Sequence, residues 1–158
     1  MSRTTSPGGP SLPELEGSEL LLCGVVEGVP PSSNHLYSGQ QRRFITKVGK
    51  AYKNRARSEL AQQWIQETQP SPNDAHMLIL RFFLPTILNG TFGKKRGAST
   101  RFKRVDLSGL IKIVEDVVVE VTGADDASNL ALVPMKLQSG DPRVEIELWR
   151  LRDAAFLR

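Results

Sequence analysis

The segment RVDLSGLIKIVEDVV, residues 104–118, places an aspartate and a Ser-Gly pair directly before an apolar pattern with helical spacing. Intervals of three and four align side chains on one face of an α-helix, and here they connect Leu107, Leu110, Ile111, Val114, Val117, Val118 and Val121. The pattern predicts a helix over residues 107–122 whose apolar stripe faces the core or a partner subunit. Gly123 suits the position after the helix, where a positive φ is common.

Asp106 directly precedes this helix, and two roles suit it. Its carboxylate can accept a backbone N–H as a helix cap and also favours the positive end of the helix dipole. It can equally provide a hard oxygen ligand for a metal ion. Taken alone, the position favours the cap, just as the pair Asp125-Asp126 alone favours a solvated turn.

The remaining segments predict the other elements of one domain. Alternating or continuous apolar runs indicate strands over residues 19–27, 77–84, 130–137 and 143–150, and i+4 spacing indicates a first helix over residues 49–66. The Pro- and Ser-rich segment 29–43 predicts turns. Residues 85–103 form a long Gly- and Lys-rich loop, a length usually associated with function or mobility. The expected fold is α+β, with a mixed sheet of about four to five strands and two main helices.

Length and composition limit the protein class. A chain of 158 residues fits one domain, which we place at residues 18–152, between a disordered tail at residues 1–17 and a C-terminal tail at residues 153–158. The single cysteine, Cys23, excludes an internal disulfide and a zinc cluster of several cysteines. No apolar run approaches the roughly 18 residues of a membrane span, so we expect a cytoplasmic protein without a membrane partner.

Positive charge is concentrated in two segments. The net charge is only +4, but residues 28–58 and residues 75–105 each contain seven Lys or Arg and no Asp or Glu. Such segregation is typical of a polyanion-binding face, because each cation placed on a phosphate releases a condensed counterion. A solvated surface without a ligand is the alternative.

These motifs together resemble the RusA-type Holliday junction resolvases, nucleases often carried by prophages. In that family a basic loop leads into Asp-x-Asp-Asn-x-x-Lys, and a helix with a further Asp is followed by Gly and Asp-Asp. The corresponding residues here are Asp106, Ser108, Gly109, Leu110, Lys112, Asp116, Gly123, Asp125 and Asp126. VPPSSNHLY (29–37) and GKAYKNRA (49–56) are similar to two further family motifs, and Lys136 matches a recurring lysine. The resemblance covers about residues 25–148.

The resemblance implies a Mg²⁺-dependent endodeoxyribonuclease that resolves four-way DNA junctions in recombination and repair, in the cytoplasm at the nucleoid. The catalytic residues it implies are Asp106, Lys112 and Asp126, and the implied metal ligands are Asp106, Asp125 and Asp126. Together with the charge pattern, it indicates DNA binding by Arg42, Arg43, Lys50, Lys94, Lys95, Arg96, Arg101, Lys103 and Arg104.

One departure leaves a second interpretation open. Ser108 and Gly109 occupy the places of the family's second acid and the following Asn. A serine hydroxyl supplies one neutral oxygen where a carboxylate would also offset the charge of the metal ion. Glu115 or Asp116 could compensate for it. The alternative function is a weakened or inactive module that binds DNA junctions without cutting them.

Helix geometry predicts a homodimer. A helix over residues 108–121 is about 21 Å long, and the five steps from Val121 to Asp126 reach back about 17 Å at most. Antiparallel packing of two copies of the helix would set Asp106 of one chain beside Asp125-Asp126 of the other. We therefore expect two composite sites, with Val117, Val118 and Val121 partly in the subunit interface.

Overall fold

The computed structural model describes residues 17–32, 37–38, 44–64 and 69–152. The strands are β1 (Glu19–Glu27), β2 (Tyr37–Ser38), β3 (Phe44–Ile45), β4 (His76–Leu84), β5 (Asn129–Gln138) and β6 (Arg143–Arg150), and the helices are α1 (Lys47–Gln63), α2 (Leu107–Thr122) and a 3₁₀ turn at Asp126–Ser128. The predicted α+β class is confirmed. Of the predicted tails, residues 1–16 and 153–158 lie outside the described part.

The main sheet has four strands in the order β1-β6-β4-β5. β6 runs antiparallel to both β1 and β4, whereas β4 and β5 are parallel. The parallel pair needs a crossover connection, which α2 provides. The sheet is therefore mixed, as predicted. None of the described helices is long and apolar enough to cross a membrane.

Both helices pack on one face of this sheet. The core there joins Tyr52, Ala56 and Leu60 of α1 to the apolar stripe of α2 and to inward side chains of all four strands. Val117 and Val118 of the stripe are each only 1% exposed within a single chain. The stripe therefore faces the core of its own chain, and the expectation that Val117 and Val118 form part of a subunit interface is wrong.

Two segments expected to lack regular structure take part in β-pairing. In the predicted turn segment, Tyr37–Ser38 pairs antiparallel with Phe44–Ile45 as β2 and β3. In the long basic loop, Leu88 and Phe102 form an antiparallel β-bridge. The first helix also begins two residues earlier than predicted, because Thr46 caps it with Oγ1 accepting from the Gly49 N–H at 3.1 Å.

His76 is a buried polar residue at the start of β4. Its side chain is 0% exposed, and neither ring nitrogen has a hydrogen-bond partner among the described residues. Burial lowers the pKa of His76 below its usual 6.5, with Asp74 raising it and Arg150 lowering it further. Because the folded protein disfavours the protonated ring, the unfolded chain binds the extra proton below about pH 6.5. The free energy of unfolding therefore decreases as the pH is lowered below that value.

Replacing His76 by Leu should therefore stabilise the protein. Removing two buried nitrogens without partners should increase the free energy of unfolding by about 1 kcal/mol at pH 7. The gain should increase as the pH is lowered from 7 to 5. In that range protonation of His76 favours the unfolded state of the wild type, and the Leu variant has no such group. Urea unfolding at both pH values measures the two effects. A gain that is the same at both would show that His76 does not cause the acid sensitivity.

Candidate functional site

Asp106 occupies the N-cap position of α2 without acting as a side-chain cap. Its backbone is extended, with φ −75° and ψ 126°, and its carboxylate makes no cap hydrogen bond. The residue is exposed, and only its backbone carbonyl serves the helix, accepting from the Gly109 N–H at 3.1 Å. The carboxylate therefore remains available to a ligand at the positive end of the helix dipole, where its negative charge is favoured.

Lys112, Glu115 and Asp116 form a charged strip along the outer face of α2. Lys112 Nζ lies 2.7 Å from Asp116 Oδ1. The hydrogen bond to Asp116 raises the pKa of Lys112, with smaller contributions from Glu115 and Asp126. Burial raises the pKa of Glu115, Lys112 opposes this, and the charges of Asp116 and Asp126 add to it. The strip thus concentrates carboxylates around one lysine.

Asp125 and Asp126 have different environments. Asp125 caps the 3₁₀ turn, since its Oδ1 accepts from the Ala127 N–H at 3.0 Å. Asp126 is the first residue of that turn and is exposed. Ser128 Oγ donates to the Pro72 carbonyl at 3.0 Å and ties the turn to the segment before β4. Of the two acids, Asp126 is the one whose carboxylate is not used in capping this turn.

The structure brings some of the predicted site residues together in one chain. The 3₁₀ turn returns Asp126 far enough along α2 for its charge to act on Lys112 and Glu115. Ser108 is exposed on the first turn of the helix, two residues after Asp106. Among the described residues, however, no three Asp, Glu, His or Cys side chains lie close enough to hold a metal ion. One chain therefore carries suitable oxygen donors without assembling them into a complete ligand set.

Lys136 supports the site from β5. Its Nζ donates to the Val105 carbonyl at 2.7 Å, immediately before Asp106. The lysine is half-buried, so this bond connects the sheet to the backbone that presents the Asp106 carboxylate. The sequence motif marked Lys136 without indicating this contact, which depends on a strand 31 residues away in sequence.

We call residues 85–105 the basic arm. Its two sides are joined by the Asn89 N–H donating to the Arg101 carbonyl and the Lys103 N–H donating to the Ile87 carbonyl, both at 2.9 Å. The Asn89 amide also donates to the carbonyls of Thr100 and Phe102, at 2.6 and 3.0 Å. The arm is consequently a hydrogen-bonded structure, although the sequence predicted a long loop.

The cations of the arm are exposed and unpaired. Among the described residues no salt bridge involves the six that were predicted to bind DNA, namely Lys94, Lys95, Arg96, Arg101, Lys103 and Arg104. Sequence reasoning missed two exposed aromatic residues among them, Phe92 and Phe102. Aromatic residues alternating with cations in a turn-rich segment were the available signal.

The other basic segment is largely neutralised by acids of the same domain. Lys53 lies 2.5 Å and Arg57 3.7 Å from the carboxylate of Glu120 in α2, and Arg55 lies 3.4 Å from Glu59. Lys50 is exposed on α1. The predicted DNA-binding residues Arg42 and Arg43 lie outside the described residues. The arm therefore carries most of the unpaired positive charge that the structure describes.

An unpaired cationic arm beside exposed carboxylates at the start of a helix is an arrangement that suits a nucleic-acid-cleaving domain. The sequence profile of the endodeoxyribonuclease RusA family matches residues 27–149, which includes every helix and strand except most of β1 and the last residue of β6. The chain therefore belongs to the RusA endodeoxyribonuclease family, as the motifs predicted. No curated protein sequence matches this chain.

Proposed function

We propose that this protein is a Mg²⁺-dependent homodimeric endonuclease that resolves four-way DNA junctions in recombination and repair, at the nucleoid in the cytoplasm. Family membership supports endodeoxyribonuclease activity on DNA junctions. The single observation that carries the proposal is the exposed Asp106 carboxylate, which lies at the helix N-terminus without a cap hydrogen bond, directly after the unpaired cations of the basic arm.

The donor set has the chemistry that Mg²⁺ requires. Asp106, Asp125 and Asp126 offer carboxylate oxygens, the hard ligands that this ion prefers. When bound there, the ion would supply charge stabilisation at the phosphate undergoing transfer. One chain does not assemble three such ligands among its described residues. Mg²⁺ commonly takes one or two carboxylates together with water and phosphate oxygens, and the proposal adds donors from a second copy.

The roles of the protein side chains follow from their positions. The basic arm holds the DNA backbone through phosphate contacts. Lys112 provides positive charge for the transferring phosphate and forms an ion pair with Asp116. Lys136 orients the backbone that carries Asp106. Catalysis would then depend on positioning and on charge, the dominant contributions to phosphoryl transfer.

A surface other than the helix stripe must join the two copies. β5 lies at an edge of the sheet and carries Leu130 and Leu132, which are 47% and 38% exposed. This strand begins beside Asp126 and passes Lys136, which contacts the residue before Asp106. A two-fold axis across β5 would bring the Asp126 end of one chain beside the Asp106 end of its copy.

Ser108 supports the alternative, a junction-binding protein with weak or no nuclease activity. Incubating a supercoiled cruciform and a synthetic four-way junction with protein and Mg²⁺ discriminates the two functions. New 5′ and 3′ ends at the junction indicate an enzyme. A gel shift of the junction without product strands indicates a binding protein.

Restoring the acid as Ser108→Asp should increase Mg²⁺-dependent cleavage about tenfold, because the added charge lies near Asp106 and ligand charge tunes metal affinity. Ser108 is exposed and lies in the first turn of α2, where an acid is favoured, so the fold should tolerate the change. Gly109 is buried, and we therefore leave it unchanged. Ser108→Asn is the neutral control. Cleavage that falls in Ser108→Asp while folding is retained would indicate a rearranged site.

Neutralising the tip of the arm should weaken the salt dependence of DNA binding. Replacing Lys94, Lys95 and Arg96 by Gln removes three unpaired cations, so the slope of log K against log salt should decrease by about 2 to 3. The matched control is the triple variant of Lys53, Arg55 and Arg57, whose charges are paired with acids. Fluorescence anisotropy measures both slopes. A larger change in the control would locate the DNA-binding face on α1.

A further inference from the structure

The basic arm exposes large apolar side chains as well as cations. Phe92 is 49% exposed, Phe102 56% and Leu88 41%. Aromatic side chains contribute strongly to interfaces when they become buried. Exposed on an arm without acidic residues, they indicate a binding surface whose partner is negatively charged.

The arm presents Phe102 on a defined support. Phe102 lies opposite Leu88 in the antiparallel bridge, so the two side chains project from the same face. Backbone hydrogen bonds flank this pair on both sides. The Arg101 guanidinium lies 5.6 Å from the centre of the Phe102 ring, which places a cation next to the aromatic face.

The tip that carries Phe92 is also closely packed. The Phe92 N–H donates to the Asn89 carbonyl at 3.0 Å, and Thr91 Oγ1 accepts from the Ala98 N–H at 3.1 Å. At Gly97 an added Cβ would lie 1.7 Å from the Thr91 carbonyl oxygen, so only glycine allows this close approach of the two sides of the tip. The exposure of Phe92 is therefore maintained by the fold of the tip.

We propose that Phe92 and Phe102 stack on nucleobases at the branch point of a DNA junction, and that this contact makes the arm selective for branched over linear DNA. Cations follow Phe92 at residues 94–96 and flank Phe102 at Arg101 and Lys103, so they can hold the sugar-phosphate backbone beside the rings. Every base has a π face that an aromatic side chain can contact, independent of sequence. In linear duplex the base faces are already stacked on each other, whereas a crossover leaves some of them accessible. The inference rests on the proposed function and adds the part of the DNA that these side chains contact.

The test compares junction and duplex affinity in the double variant Phe92→Ala with Phe102→Ala. Fluorescence anisotropy in EDTA, with a synthetic four-way junction and a linear duplex of the same arm sequence, measures binding without cleavage. The variant should lose about tenfold in affinity for the junction and less than about twofold for the duplex, since its cations remain. Phe102→Trp, which keeps an aromatic face, should bind the junction like the wild type. Leu20→Ala on β1, 43% exposed, is the control for loss of an exposed apolar side chain.

Equal losses for junction and duplex, or no loss for either, would overturn the inference. So would a double variant that sediments at a smaller mass than the wild type, because the two rings would then belong to a contact between copies of this chain. Thermal unfolding of Phe92→Ala and Phe102→Ala as single variants shows whether each change leaves the fold intact. A wild-type protein that binds both DNAs equally would contradict the proposed function itself. A junction preference that persists in the double variant would contradict only the stacking contact.

Discussion

Replacing Asp106 by Asn should reduce junction cleavage by about 100- to 1,000-fold while leaving the fold and DNA binding intact. In the proposed mechanism the substitution removes a charged oxygen ligand close to the transferring phosphate, and single contributions of this kind typically have that magnitude. Asn is as good an N-cap residue as Asp, and the Asp106 carboxylate makes no cap hydrogen bond. The loss of stability should therefore stay below about 1 kcal/mol.

Single-turnover cleavage of a labelled four-way junction measures this loss, and anisotropy with the same DNA measures binding. Asp141→Asn is the matched control, because Asp141 is exposed and its side chain contacts only Arg143 among the described residues, at 3.4 Å. A variant at Asp106 that cleaves within threefold of the wild type would remove this residue from the proposed active site.

Mixing two inactive variants should restore cleavage if the sites are composite. Asp106→Asn and Asp126→Asn each damage both sites of a homodimer, but a heterodimer contains one doubly damaged site and one intact site. Random exchange makes about half of the dimers mixed, with one working site in two, so nicking should return to about a quarter of the wild-type rate. Paired cuts in the same junction should remain rare, since each mixed dimer can cut only one strand.

Subunit exchange must be verified independently, by mass measurement of dimers in which one variant carries a size tag. If the exchanged mixture stays as inactive as its parents, each site is built within one chain, and the oxygen donors of that chain must move together on DNA binding.

Leu132→Lys on the proposed contact at β5 should lower the sedimenting mass, because it places a charge in that contact. An unchanged mass would place the subunit contact elsewhere.

The elements with periodic sequence were predictable. Residues 107–122 follow the helical apolar spacing between Asp106 and Gly123, and α2 has those bounds, with φ +72° at Gly123. β1 and β6 also agree with the prediction. The two-residue strands β2 and β3 were missed because two residues are too few to show alternation. Periodicity also could not say which surface covers the apolar stripe, and the core of the same chain covers it.

The site was predictable in its residue types and not in its contacts. Family motifs gave Asp106, Lys112 and Asp126, whose roles remain predictions. The pairing of Lys53 and Arg57 with Glu120 joins α1 to α2, and sequence spacing carries no signal for such a contact. The order of the basic arm likewise depends on Asn89, whose amide reaches residues 11 and 13 positions away. Pattern analysis within short windows detects none of these.

The sheet order also determines when the sheet can form during synthesis. β6 is synthesised after every other described strand, yet it lies between β1 and β4. Before β6 is available, β4 can pair with β5, but β1 then has no described partner and the inner side of β4 is an open edge. Such edges readily pair with other chains. The basic arm and the acidic residues are already translated at that stage. The final strand therefore delays completion of the sheet until synthesis has passed Arg150, and a chain truncated before β6 would be prone to aggregation.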